Sequence, residues 1–335
     1  MKNKFSILIG LLAMFILILA GCSSAQSNQA VAKEKEEKTT QTNSKEQTAQ
    51  PKYIFTANEG GSISKIKAEN KKGQATIEVE GIAHNVQVSP NGKVLGVTLV
   101  TEMAHGHDND GSMDMKGKAL FFDTDNNELI EAVTVGNHPA HIVFTENGKY
   151  ALVSNNEDNT VSVIDMKTFS VIEDVPTGNG PHGFRISQDS KFAYVANMGE
   201  DTISVINLET LQEEKKITVG QTPVTTGITS NGKTLVATIN SENVLAIVDL
   251  ETNLVKKVAV GNGPAQLYID STNKFAYVAN QGTEESPSNT MTIVDLELNE
   301  TVATIETGEG SHGVVISSDN KFAYVTNMFD NTVSV

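Results

Sequence analysis

The chain has 335 residues, a formal net charge of −16 and a single cysteine. One cysteine excludes a disulfide-stapled scaffold, and the acidic balance argues against nucleic acid as a partner and against electrostatic docking on anionic lipid, while it favours cations. Residues 1–50 hold six lysines against four glutamates, so the remainder carries −18, with Arg185 the only arginine of the protein.

Residues 1–21 open with Lys2 and Lys4, run apolar from Phe5 to Leu19 and close on Ala20-Gly21. That is the charged, apolar and small-residue order of a secretory signal peptide, too short for a comfortable membrane span. Leu19-Ala20-Gly21-Cys22 resembles the lipobox of bacterial lipoproteins. The resemblance implies that Cys22 becomes the mature N-terminus and carries acyl chains, palmitate among them, so that the protein sits on the cell membrane, outside the cytoplasm, without crossing it. Residues 22–52 are Ser, Gln, Thr, Asn, Lys and Glu with almost nothing apolar, a composition that cannot offset chain entropy and reads as a disordered tether.

From Tyr53 to the end, one unit recurs. Its marker is a turn closed by a lysine: Lys93, Lys149, Lys191, Lys233, Lys274 and Lys321, spaced 56, 42, 42, 41 and 47 residues apart. In the unit that starts at His182, strand A is Gly183 to Ser187, B is Phe192 to Asn197, C is Thr202 to Asn207 and D is Glu214 to Val219. Asn-Gly and its near relatives suit the φ > 0 positions of tight hairpins, and the Val, Ile, Tyr and Phe alternation suits a pleated sheet. Four antiparallel strands about every 42 residues predict an all-β fold, a β-propeller with very little helix.

The strand B copies Tyr150 to Asn155, Phe192 to Asn197, Phe275 to Asn280 and Phe322 to Asn327 resemble the YVTN family of propeller repeats. The resemblance covers residues 53–335 and implies seven blades, counting a further copy at Tyr53 to Asn58 and the degenerate copies at Val94 to Val100 and Thr234 to Asn240. The first blade lacks an A strand and the last stops inside its C strand at Val335, so a closed ring calls for roughly 25 further residues.

The chemistry-bearing residues gather at one face. His84, His182 and His312 stand nine residues before their marker lysines and His141 eight before its own, all where the innermost strand begins. Those strands line the channel of a propeller, so the four imidazoles are expected around one mouth; His138, three residues before His141 in the same connection, either joins them or faces solvent. The insertion from Thr101 to Lys118 carries Met103, His105, His107, Asp108, Asp110, Met113, Asp114 and Met115. It joins strands B and C, a connection that emerges on the same face. Imidazole, thioether and carboxylate together are what a copper site uses. The predicted metal ligands are therefore His84, His105, His107, His141, His182 and His312, with Met103, Met113, Met115 and Asp108. Zinc is the second choice. Calcium would use Asp108, Asp110 and Asp114, but the spacing departs from an EF-hand loop and lacks its closing glutamate.

Gln281 to Asn289 reads as an acidic rim loop. No G-x-S-x-G elbow or phosphate-cradling loop is present, and no catalytic acid and base pair stands out. The expectation is a lipid-anchored, extracytoplasmic binding propeller that takes a metal ion, copper first. Two other readings stay open: a surface adhesin or scaffold that binds protein or glycan without metal, and a lactonase-like hydrolase.

Overall fold

The computed structural model describes residues 52–101 and 116–335, in which 26 strands form seven antiparallel sheets. The signal segment, Cys22, the tether up to residue 51 and residues 102–115 lie outside the described residues. Blade 1 is β1 (Tyr53–Asn58), β2 (Ser62–Lys67) and β3 (Lys72–Glu78). Blade 2 is β4 (Ile82–Val88), β5 (Val94–Val100), β6 (Lys116–Asp123) and β7 (Leu129–Asn137). Blade 3 is β8 (Pro139–Phe144), β9 (Tyr150–Asn155), β10 (Thr160–Asp165) and β11 (Ser170–Pro176). Blade 4 is β12 (Pro181–Ile186), β13 (Phe192–Asn197), β14 (Thr202–Asn207) and β15 (Gln212–Thr218). Blade 5 is β16 (Pro223–Ile228), β17 (Thr234–Ile239), β18 (Val244–Asp249) and β19 (Val255–Ala259). Blade 6 is β20 (Pro264–Ile269), β21 (Phe275–Gly282), β22 (Pro287–Asp295) and β23 (Glu300–Glu306). Blade 7 is β24 (Ser311–Ile316), β25 (Ala323–Asn327) and β26 (Thr332–Ser334). The single helical turn described is 3₁₀, Asn240–Glu242.

The lysine markers work through backbone sign. The residue before each lysine stands at positive φ: 74° at Gly92, 67° at Gly148, 60° at Ser190, 68° at Gly232, 60° at Asn273 and 56° at Asn320. Glycine, asparagine and serine recur there because bulkier side chains resist that region. A side-chain acceptor completes the turn, as Asp189 Oδ1 takes hydrogen bonds from Ser187 Oγ at 2.6 Å and Lys191 N at 3.1 Å. The turn between the third and fourth strands is equally tight. Leu211 at φ 56° closes it, so the fourth strand of blade 4 starts at Gln212, two residues earlier than the alternation alone suggests.

The asparagine that ends the second strand is a buried clamp. Asn197 Nδ2 donates to Thr202 Oγ1 and Ser204 Oγ, both at 2.9 Å, and Asn155, Asn280 and Asn327 repeat the pattern on their own third strands. A glycine covers each clamp: a Cβ on Gly178 would meet Asn197 Nδ2 at 2.5 Å, and one on Gly261 would meet Asn280 Nδ2 at 2.4 Å. Each clamp fastens a hairpin through its Nδ2, where an unpaired buried donor would cost about 1–3 kcal/mol; the Oδ1 of Asn280 and of Asn327 stays buried without a hydrogen-bond partner.

The core lies between blades. Six apolar clusters each join one adjacent pair, such as Leu152 and Val161 of blade 3 against Phe184 and Ile206 of blade 4. Among the described residues no such cluster joins blade 7 to blade 1. A cleft of about 1160 Å³ separates them instead, lined by Ile54, Ile66, Tyr324 and Val333 among others. Blade 1 is secured from its other side. Lys65 of β2 is 2% exposed, and its Nζ donates to Thr124 O at 2.7 Å and Asn127 Oδ1 at 2.9 Å in the β6–β7 turn, 4.3 Å from the Tyr53 ring centre.

Candidate metal centre

A bulge aims the histidines. In every inner strand from β4 onward, pairing with the second strand slips at the start: between Ala83 and Asn85, Pro139 and Ile142, Pro181 and Phe184, and Ser311 and Val314 in the four histidine-bearing blades. His84, His141, His182 and His312 stand inside those slips, where an unpaired residue is free to point away from the sheet. Glycine after His182 has its own cause. A Cβ on Gly183 would meet Thr225 Oγ1 at 2.3 Å, so the inner strands of blades 4 and 5 could not approach.

Four imidazoles meet at the mouth. Ring centres lie 4.9 Å apart for His141 and His182, 5.7 Å for His84 and His182, 6.3 Å for His84 and His141, and 6.2 Å for His84 and His138. His138 belongs to the set through a strained backbone, φ 48°, at the position that Gly180, Gly263 and Gly310 fill before later inner strands. His312 stands further round, against Gln281.

The outer bonds are uniform. Nδ1 of His84 faces Glu59 Oε1 at 3.4 Å and Nδ1 of His138 faces Glu157 Oε1 at 3.4 Å. Nδ1 of His182 is 3.1 Å from Val224 O, and Nδ1 of His312 is 3.1 Å from Gln281 Oε1. An acceptor at Nδ1 fixes the proton there and leaves Nε2 with its lone pair, the outer arrangement that metal-ligating histidines use. His141 is 1% exposed and its Nε2 is buried without a hydrogen-bond partner.

Burial keeps His141, His182 and His312 neutral. It pushes His141 well below the ordinary histidine range, with the charges of His182 and His84 acting the same way. His182 falls to about 3 through burial and then His84, and His312 to about 4 through burial and then His84. The hydrogen bond from His84 holds the Glu59 carboxyl below its usual value, against burial. Neutral imidazoles at neutral pH are lone-pair donors.

A tetrahedral ion about 2.0–2.1 Å from each ring nitrogen sets ring centres about 5 Å apart. His141 and His182 are already at that spacing, while His84 is wider. Among the described residues no three His, Cys, Asp or Glu side chains are closed into a coordination shell, so binding requires His84 to turn inward. Met103, His105, His107, Asp108, Met113 and Met115 fall outside the described residues, as does Cys22. Glu59, Glu157 and Gln281 are absent from the sequence-based ligand set. Glu59 and Glu157 lie in connections between second and third strands and Gln281 at the end of a second strand, on the face already assigned to the histidines, and that placement was the available signal. Gln281 also revises the rim loop: β21 runs to Gly282, which pairs with Pro287, so the insertion is mostly a longer hairpin.

The sequence matches the YNCE-like beta-propeller family over residues 123–335. The chain belongs to that family. Comparison with curated proteins finds no match to this YNCE-like propeller. Solved structures match in 1593 chains, a number that identifies an architecture shared by varied functions. One is hydrazine synthase of Kuenenia stuttgartiensis, 20% identical with a TM-score of 0.72 over 84% of this chain and 91% of that one. Another is a functionally unknown protein from Desulfotomaculum acetoxidans DSM 771, 14% identical with a TM-score of 0.63 over 78% of this chain and 84% of that one. At these identities the likeness concerns the fold alone.

Proposed function

We propose that this chain is an extracytoplasmic binding propeller, anchored through lipid on Cys22, that takes a transition-metal cation at the mouth formed by His84, His138, His141 and His182. The observation that carries the reading is the set of oxygen acceptors at Nδ1 of His84, His138, His182 and His312, which leaves each Nε2 as a donor. Neutral imidazoles suit Cu(II) and Zn(II). The thioethers of Met103, Met113 and Met115 in the insertion tilt the choice to copper, which they hold in its reduced form. Rigid blades supply the imidazoles, and the insertion supplies the soft ligands.

Elemental analysis and calorimetric titration of the full chain with Cu(II) and Zn(II) test it. One metal per chain is expected, with copper tighter. His84→Ala and His182→Ala should each weaken binding by roughly tenfold or more, and deleting residues 101–118 should weaken copper more than zinc. Wild-type affinity in both histidine variants would remove the mouth from the site.

A further inference from the structure

Inside the same ring the channel holds a single formal charge among the described residues. A cavity of about 750 Å³ is lined by Asn85, Gln87, Arg185, Gln266 and Tyr268, with His84, His312 and flanking residues of blades 1, 2 and 7, and among the described residues no aspartate, glutamate or lysine lines it. In a protein of net charge −16 the only arginine therefore stands where no described residue supplies its counter-charge. Arg185 Nη1 donates to Phe184 O at 2.8 Å, and its ionisable neighbours among the described residues are Tyr268 and His141, neither of them a carboxylate. Arg185 is half-buried, and a guanidinium cannot relieve that loss of water by losing its proton, so an unpaired one is a standing cost.

The amides beside it are turned as donors. Asn85 Oδ1 accepts Ile142 N at 3.3 Å and Gln87 Oε1 accepts Phe144 N at 2.9 Å. A backbone N–H requires an oxygen, so the orientation of both amides is determined and their NH₂ groups remain for whatever enters the cavity. We propose that the channel binds a small oxyanion, a carboxylate or an inorganic phosphate or sulfate, with Arg185 as its counter-charge and Asn85, Gln87, Gln266 and Tyr268 as flanking donors. The planar fork of the guanidinium matches two oxygens of such a group. The cavity volume falls within the range of about 300–1,000 Å³ typical of small-molecule sites. The inference does not depend on metal at the mouth.

The full chain is titrated with phosphate, sulfate, acetate and succinate at constant ionic strength in chloride, by calorimetry and thermal melting. At least one anion should bind saturably, and the four arms separate inorganic from organic ligands. Arg185→Gln should weaken that binding by roughly tenfold to a hundredfold and should melt higher than wild type in anion-free buffer. Because the protein has one arginine, phenylglyoxal labelling read by mass reports on the same residue without a variant, and the binding anion should slow it. No saturable anion in wild type, unchanged binding in Arg185→Gln, or labelling indifferent to the anion would each overturn the proposal.

Discussion

Exchanging His138 for glycine should make the propeller more stable and a weaker metal binder. Glycine takes the left-handed backbone at this position without steric cost, and relief of about 1 kcal/mol is expected from denaturant unfolding. Metal titration of the same variant should show reduced affinity; a change in stability alone would leave His138 outside the site. Protonation acts on its neighbours in the opposite sense. Between about pH 6.5, the ordinary histidine value, and about 4, the unfolded chain gains protons on His141, His182 and His312 that the folded chain refuses. Stability therefore falls as pH falls through that window, by at most about 1.4 kcal/mol per pH unit for each histidine. Melting temperatures from pH 6.5 to 4.5 check this, and His182→Asn should flatten the slope. An equal slope in both proteins would mean that His182 is protonated in the folded state.

At the scale of turns and strands, Ser190 is the weak member of its class. It stands at φ 60°, where Asn273 and Asn320 serve in blades 6 and 7, and its Oγ accepts Asn147 N from the preceding blade at 3.1 Å. Asparagine keeps an acceptor, as Asn273 Oδ1 does for Ser230 N at 2.7 Å, and tolerates that backbone better. Ser190→Asn should stabilise by about 0.5 kcal/mol in chemical denaturation. These turns were legible because positive φ restricts residue type, and the strands because a half-buried sheet imposes alternation. The convergence of His84, His141 and His182 followed from the repeat alone, since equal positions in successive blades become neighbours. What composition did not reveal is how they are held. The slip between Pro181 and Phe184 is a matter of register and leaves no mark in residue type, and Glu59 and Glu157 look like the solvated acids that most turns carry.

Across the whole ring, cohesion is uneven. Among the described residues six inter-blade interfaces are apolar and blades 7 and 1 are parted by a cleft, so the blades beside it have the least to lose on opening. Backbone amides of β24–β26 and β1–β3 should exchange with deuterium before those of β12–β15 and β16–β19. Even protection around the ring would show that the cleft closes in solution.

Lys65 decides which side of blade 1 gives way. Its ammonium is fastened to neutral oxygens and an aromatic face, shielded from dissolved ions, so added electrolyte has little to screen. Blade 1 should therefore stay attached to blade 2 as a hinge leaf at any ionic strength. When the ring breathes it parts from blade 7 alone, so Glu59 keeps its place against Nδ1 of His84 and the first fluctuation of the scaffold leaves that pair together.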